Sequence, residues 1–211
     1  MTLPVGSILV PVLIPSDATH LTNLSGDGKV WPLDMSIRNI RPIIRNKPTS
    51  HAWVPLAILP NGPKRIKKVP EWSENKQEHE AMLVLHDLLQ VILRPLLTSA
   101  RDGHHIKCGD EVVRNCYFRV AGWLADHMEN SAIHGIYATR CAICEAPQNR
   151  MGELEKYPLR DTQQYQEWVN KSNTDNLHIR GVKFIMNALW KLRDVMLREL
   201  VRSDILHTTR L

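Results

Sequence analysis

Ser7-Ile8-Leu9-Val10-Pro11-Val12-Leu13-Ile14-Pro15-Ser16 is an apolar run that ends on Asp17. Its aliphatic and β-branched content, with Gly6 before it and Asp17 after it, reads as a β-strand. Pro11 has no N–H to give to a ladder, which points to an edge position or a bulge. An acid at the tip of such a strand is held at the rim of the core. Two readings of Asp17 fit. It is a turn acid whose side chain bonds nearby backbone, or it is an oxygen ligand for a hard divalent cation.

Outward from this strand, residues 31–40 and 52–59 read as two more, with Leu33, Met35 and Ile37 alternating with their neighbours. Asn61-Gly62-Pro63 marks a turn. Residues 74–99 read as the main helix, because Met82, Leu85, Leu89, Ile92 and Leu96 recur at helical spacing. Val84, Leu88, Val91 and Leu93 widen that stripe, so burial on more than one side is expected. Pro95 is expected to kink or end the helix, and Gly103 to cap it. Residues 116–125 read as a further strand, with Asp126 after it, either as a helix cap or as a second metal ligand. Residues 130–160 look irregular, 161–171 form a short helix begun by Asp161, and 181–202 form an amphipathic helix. The apolar face of that last helix is Val182, Ile185, Leu189, Leu192, Met196 and Leu200. The order strand-strand-strand-helix-strand gives α/β or α+β and nothing finer.

The chain has 211 residues, 43% of them hydrophobic and 23% charged, which suits one globular domain with a real core. Its 27 Lys and Arg against 22 Asp and Glu give a net charge of +5. A modest basic excess fits an anionic partner without requiring one. Cys108, Cys116, Cys141 and Cys144 occur without a signal-peptide pattern, so a reducing, intracellular setting is expected. No uninterrupted apolar run has bilayer length, so no membrane partner is expected. Arg38, Arg41, Arg45 and Lys47 are either a DNA-backbone contact or a solvated loop, and so is Lys64-Arg65-Ile66-Lys67-Lys68, which also fits a nuclear address. Trp31, Trp53, Trp123 and Trp190 lie in apolar contexts and read as core.

Cys141-Ala142-Ile143-Cys144 has the spacing of half a zinc site. Closing it takes two more ligands, with His134, His178, His207, Cys108 and Cys116 as candidates. Two ordinary thiols are the alternative.

Ser16-Asp17-x-Thr19-x-Leu21-Thr22-x-x-Ser25-Gly26-Asp27-x-x-x-Trp31-Pro32, followed by Ile37-x-Asn39-Ile40 and Ile44-Arg45-x-Lys47-Pro48, resembles the Plavaka transposases. These are cut-and-paste DNA transposases grouped with the Kyakuja-Dileera-Zisupton and CACTA-like enzymes. The resemblance continues through Gly122-Trp123-Leu124-Ala125-Asp126, Cys141-x-x-Cys144 and Ser203-Asp204-Ile205-Leu206-His207.

The resemblance implies an α/β chain with an incomplete RNase H-like core: a three-strand meander, a helix and a further strand. It divides the chain into a partial core over 1–129, a CxxC-containing insertion over 130–160 and a C-terminal helical segment over 161–211. Asp17 and Asp126 are then catalytic acids holding Mg²⁺ or Mn²⁺, with Asp110 and Asp27 as competitors for the second position. Zinc is implied at Cys141 and Cys144, with His134 the ligand near in sequence. DNA is the implied partner, transposon ends in particular, and the nucleus the implied location. The third acid of the triad has no clear counterpart; Glu199 and Asp204 are the nearby substitutes. The chain is therefore expected to be a transposase fragment with reduced or no strand-transfer activity. The alternative is a non-catalytic, zinc-stabilised module that binds DNA or protein.

Overall fold

A computed structural model describes residues 3–20, 29–60, 74–192 and 197–203. The turn at 61–63, the basic cluster at 64–68, Asp27, Asp204 and His207 lie outside the described residues. Among the described residues the chain is mixed α/β, built on one seven-stranded sheet. The apolar run that opens the chain is β1, Ile8–Pro15. It is followed by a short β2, Thr19–His20, and by β3, Lys29–Ile37. Val12 pairs antiparallel with Ile37, Ser16 bridges Leu33, and Thr19 pairs with Val30. One register therefore runs through all three contacts, so β1 and β2 form a single interrupted arm of a hairpin whose other arm is β3. After a one-turn helix α1, Pro42–Arg45, the chain returns as β4, Val54–Leu59, antiparallel to β3.

The long helix α2, Glu74–Asp102, then crosses the sheet. Met82, Leu85, Leu89 and Leu93 are buried against β-strand residues Val12, Ile14, Leu33 and Val120 in the main core. The expected burial on a second side is not found: Val84, Leu88 and Val91 are exposed, and only Leu93 of the widening set is buried. Pro95 does not end the helix either. It lies on the exposed side with Val91, whose carbonyl it leaves unbonded, and there water can satisfy that oxygen. By length and mean apolarity Lys76–Asp102 also passes as a membrane-crossing helix, although its sequence has no uninterrupted apolar run of bilayer length. Its buried stripe is what ties it to the sheet.

Gly103 ends α2 with φ +71°, and its N–H donates to the Ser99 carbonyl. The turn leads into β5, His104–Lys107, and then β6, Val113–Ala125. A Cβ at Gly103 would lie 2.4 Å from Asn115 Oδ1 and 2.9 Å from Tyr117 Cζ. Gly103→Ala is expected to lower stability by about 1–3 kcal/mol, through the left-handed backbone and this crowding together. Urea unfolding midpoints compared with wild type check it; an unchanged midpoint would mean that the turn relaxes freely.

β6 is the central strand. It runs parallel to β1 from Ile8↔Cys116 to Pro15↔Leu124, with a register shift between Val12 and Leu13 next to Pro11. The proline thus sits beside a bulge in an interior strand rather than at an edge. The opposite edge of β6 carries β5 antiparallel near its start and β7, Val201–Ser203, parallel near its end. Helix α3, His127–His134, follows β6 at once. Helices α4, Thr162–Asn170, and α5, Thr174–Ile179, form a satellite cluster around Tyr165, Val169, Leu177 and Val182. Asp161 caps α4 as its sequence position predicts, accepting from the Gln163 and Gln164 N–H groups.

Among the described residues, the C-terminal amphipathic helix over 181–202 is not formed. Its described stretch is an irregular chain with a 3₁₀ turn at Ala188–Lys191 and a four-residue helix α6, Leu197–Leu200. The apolar positions that are described are nonetheless buried: Ile185, Leu189, Leu192 and Leu200 join the main core and Val182 the satellite cluster, while Met196 lies outside the described residues. Gly181, at φ +67°, breaks from α5, and Val182 then makes a β-bridge to Ile136. Asn187 caps the 3₁₀ turn by accepting from the Leu189 N–H, and its amide donates to the Ile133 carbonyl. Local side-chain bonds of this kind compete with helix.

Candidate functional site

The parallel register of β1 and β6 fixes what lies at their carboxyl ends. Asp17 and Asp126 each stand two residues beyond the last pair, Pro15↔Leu124. They occupy matching positions on neighbouring parallel strands, at the end of an open sheet where α/β proteins place their ligands. Asp17 is exposed and Asp126 half-buried. Asp126 is also the N-cap of α3, its Oδ1 accepting from the Glu129 N–H at 2.7 Å. Capping uses one carboxylate oxygen.

Glu129 lies between the two acids, and the sequence reading did not single it out. The signal was present as Asp126-x-x-Glu129, the spacing of a capping box. Here the glutamate does not reach back to its own helix. Its Oε2 accepts from the Ser16 hydroxyl at 2.8 Å and its Oε1 from the Ala18 N–H at 2.5 Å. The Ser16 hydroxyl in turn accepts from the Trp123 indole N–H at 3.1 Å, and the Ser16 N–H donates to the Leu124 carbonyl. Burial pushes the Glu129 carboxyl above its ordinary range, and the nearby Asp126 pushes the same way. The Ala18 N–H and the Ser16 hydroxyl pull against that shift.

Asp110 is removed as a competitor by position and by partner. It sits in the β5–β6 turn, at the opposite end of β6 from Asp126, and both its oxygens accept from Arg114 at 2.6 Å. That guanidinium holds its carboxyl down to about 2. Glu199 is exposed on α6.

Cys141 and Cys144 are half-buried in the irregular segment, and the Ile143 N–H points at the Cys141 sulfur at 3.4 Å. Burial raises the Cys144 thiol, and the neighbouring Cys141 sulfur adds to that. His134 is buried in α3 with Nδ1 on the Asn130 carbonyl at 2.7 Å, and His178 is exposed with its ring edge-on to Tyr137. Cys108 and Cys116 belong to the β5–β6 hairpin region. Among the described residues no group of three or more His, Cys, Asp or Glu side chains is arranged to hold one metal ion.

The two donor sets fare differently as metal sites. Two carboxylates suit Mg²⁺ or Mn²⁺, which take one or two protein acids and fill their remaining positions with water and substrate phosphate. A structural zinc needs four protein ligands, and two thiols supply half.

The exposed cations Arg38, Arg41 and Lys47 flank α1, while Arg45 lies over the Trp53 ring, 5.7 Å from its centroid. Of the tryptophans read as core, Trp123 is fully buried and Trp31, Trp53 and Trp190 are half-buried.

A family model described as Plavaka transposase matches residues 1–210. No curated protein matches the chain.

Proposed function

Because the chain belongs to the Plavaka transposase family, we propose that it is a transposase-derived protein with an RNase H-like core in which Asp17 and Asp126 hold Mg²⁺ or Mn²⁺ against a DNA phosphate. The observation that carries this reading is the β1–β6 register, which sets the two acids at matching strand ends. The strand sequence β4-β3-β1-β6-β7 supports the core assignment, with β3 antiparallel to β1 and β4, and β6 parallel to β1 and β7. A meander followed by parallel strands is the order that such a core requires.

The bound cation would activate water or a 3′-hydroxyl and stabilise the leaving oxygen of an in-line displacement. Asp17 and Asp126 supply the oxygens that fix its place. Asp126 is oriented by the Glu129 N–H, so its free oxygen has a set direction. Arg38, Arg41 and Lys47 would meet the DNA backbone, with an affinity that falls as salt rises. Strand transfer is low in this reading, because among the described residues no third acid is free for the metal. Glu129, the carboxylate beside the pair, already accepts from Ser16 and Ala18.

Mn²⁺ titration followed by electron paramagnetic resonance tests the assignment. Wild type is expected to bind Mn²⁺, and Asp17→Asn or Asp126→Asn to lose at least about tenfold in affinity. Equal affinity in wild type and both variants would remove the acid pair from any metal role. The rival reading, a zinc-stabilised binding module, is favoured by the adjacent sulfurs of Cys141 and Cys144. Under that reading the chain takes up one equivalent of zinc, chelation lowers its melting temperature, and Asp17→Asn changes neither.

A further inference from the structure

We infer that Glu129 is a positioning residue that sets Asp17 against Asp126. This rests on the metal role proposed above for the two aspartates. One residue is bonded to both sides of the pair. Its N–H holds the Asp126 carboxylate, while its own carboxylate holds the residues on either side of Asp17. With Ser16 and Ala18 both fastened, the backbone of Asp17 has little freedom, although its side chain is exposed. The fastening is itself braced. The Trp123 indole N–H and the Leu124 carbonyl hold Ser16 through its hydroxyl and its N–H. Trp123 is fully buried, so this brace is part of the core.

The interruption between β1 and β2 falls at this point. The hairpin register carries on from Ser16↔Leu33 to Thr19↔Val30, but Asp17 and Ala18 are outside both strands. The ladder leaves them free, and the Ala18 N–H finds its acceptor on Glu129. A ladder bond there would have committed the amide to β3. The glutamate instead links the Asp17 segment to α3, the helix that Asp126 caps. The distance between the two acids is thereby fixed by a bonded path rather than by the sheet alone.

Two substitutions separate positioning from structural support and from charge. Glu129→Gln removes the charge and keeps the size, so the fold is expected to survive. An amide cannot accept on both its ends, so one of the two donors, Ser16 or Ala18, loses its acceptor. Mn²⁺ affinity is then expected to fall about tenfold, as for other residues that orient metal ligands. Ser16→Ala leaves every charge in place and removes one of the two fastenings; its Mn²⁺ affinity should fall in the same direction. In Glu129→Ala, which leaves both donors without this acceptor, the Ala18 amide should exchange faster than in wild type when followed by nuclear magnetic resonance. Wild-type Mn²⁺ affinity in Glu129→Gln would overturn the inference. So would weaker binding in Glu129→Gln with none in Ser16→Ala, since the glutamate would then act through its charge. If wild type itself fails to bind Mn²⁺, the metal reading of Asp17 and Asp126 falls and this inference with it. If wild type binds, Asp17→Asn abolishes binding and Glu129→Gln does not weaken it, only the inference falls.

Discussion

Trp123→Ala is expected to cost about 3–5 kcal/mol of folding stability, the usual range for emptying a fully buried tryptophan site. Trp123 is completely buried near the end of β6, in the cluster that joins β1, α2 and the irregular C-terminal chain. The cluster around it draws on β1, β6, α2 and α3 as well as that chain, so only partial collapse into the cavity is expected. The substitution also removes the indole N–H from the Ser16 hydroxyl. Trp123→Phe keeps the six-membered ring and loses the donor; it should cost less than the alanine variant, on the order of 1 kcal/mol of it from the hydrogen bond and the rest from the smaller ring. Typical domains have only about 5–15 kcal/mol in hand, so the alanine variant stands near the folding limit. Urea unfolding of the three proteins at one pH measures both values. Equal midpoints for the alanine and phenylalanine variants would mean that the ring is not packed as described.

Acid should destabilise the chain through His86. This histidine is buried in α2, with Nδ1 accepting from the Ala188 N–H at 3.2 Å and Nε2 facing the Ala132 carbonyl at 3.3 Å. A backbone donor at Nδ1 requires the neutral ring with its proton on Nε2. Burial lowers its pKa from 6.5 to about 4, and nearby His134 and Lys183 act in the same direction. The Ala132 carbonyl and Asp87 oppose them. The unfolded chain therefore takes up this proton before the folded one does. The stability that the neutral ring contributes is fully present above pH 6.5 and is lost as pH falls towards 4. The full loss is roughly 3 kcal/mol, from the size of the shift. Unfolding free energies across that window, for wild type and His86→Gln, provide the check. The slope in wild type should exceed that of the variant by up to one proton, and parallel curves would remove His86 as the cause.

The same region shows where a pattern of residues underdetermines structure. Apolar residues at three- and four-residue spacing read as helix both in α2 and over 181–202. In α2 the reading holds, since Met82, Leu85 and Leu89 are buried on one face. Over 181–202 the spacing is equally good and the described chain is irregular. What differs is not the apolar set but the residues between. Gly181 takes a left-handed turn, Asn187 bonds to backbone on both sides, and the Ala188 N–H is claimed by His86. A buried stripe records which residues face the core. It does not record whether the backbone satisfies its own hydrogen bonds there or borrows partners from α2 and α3.

The two aspartates came from the sequence by a different route. Pattern showed two strands each followed by an aspartate, the resemblance joined the two as a pair, and the parallel β1–β6 register sets both two residues beyond its last pair. Glu129 escaped notice because its partners, Ser16 and Ala18, are remote in sequence. The capping-box spacing pointed it at its own helix, and the fold turned it towards β1.

The parallel β1–β6 pairing also sets when the acid pair can exist during folding. The hairpin of β1 with β3 and the hairpin of β5 with β6 join residues near in sequence and can close early. The bonds that assemble the site join Ser16 to Trp123 and Glu129, 107 and 113 positions away. Closing a loop of that length costs chain entropy before any contact repays it, and such pairings are slow to form. Asp17 and Asp126 are therefore separate residues on separate pieces until the long crossover through α2 has docked. A chain still emerging from the ribosome with only its first hairpin made carries half of the pair, so in the proposed metal role uptake would follow the final docking of β6.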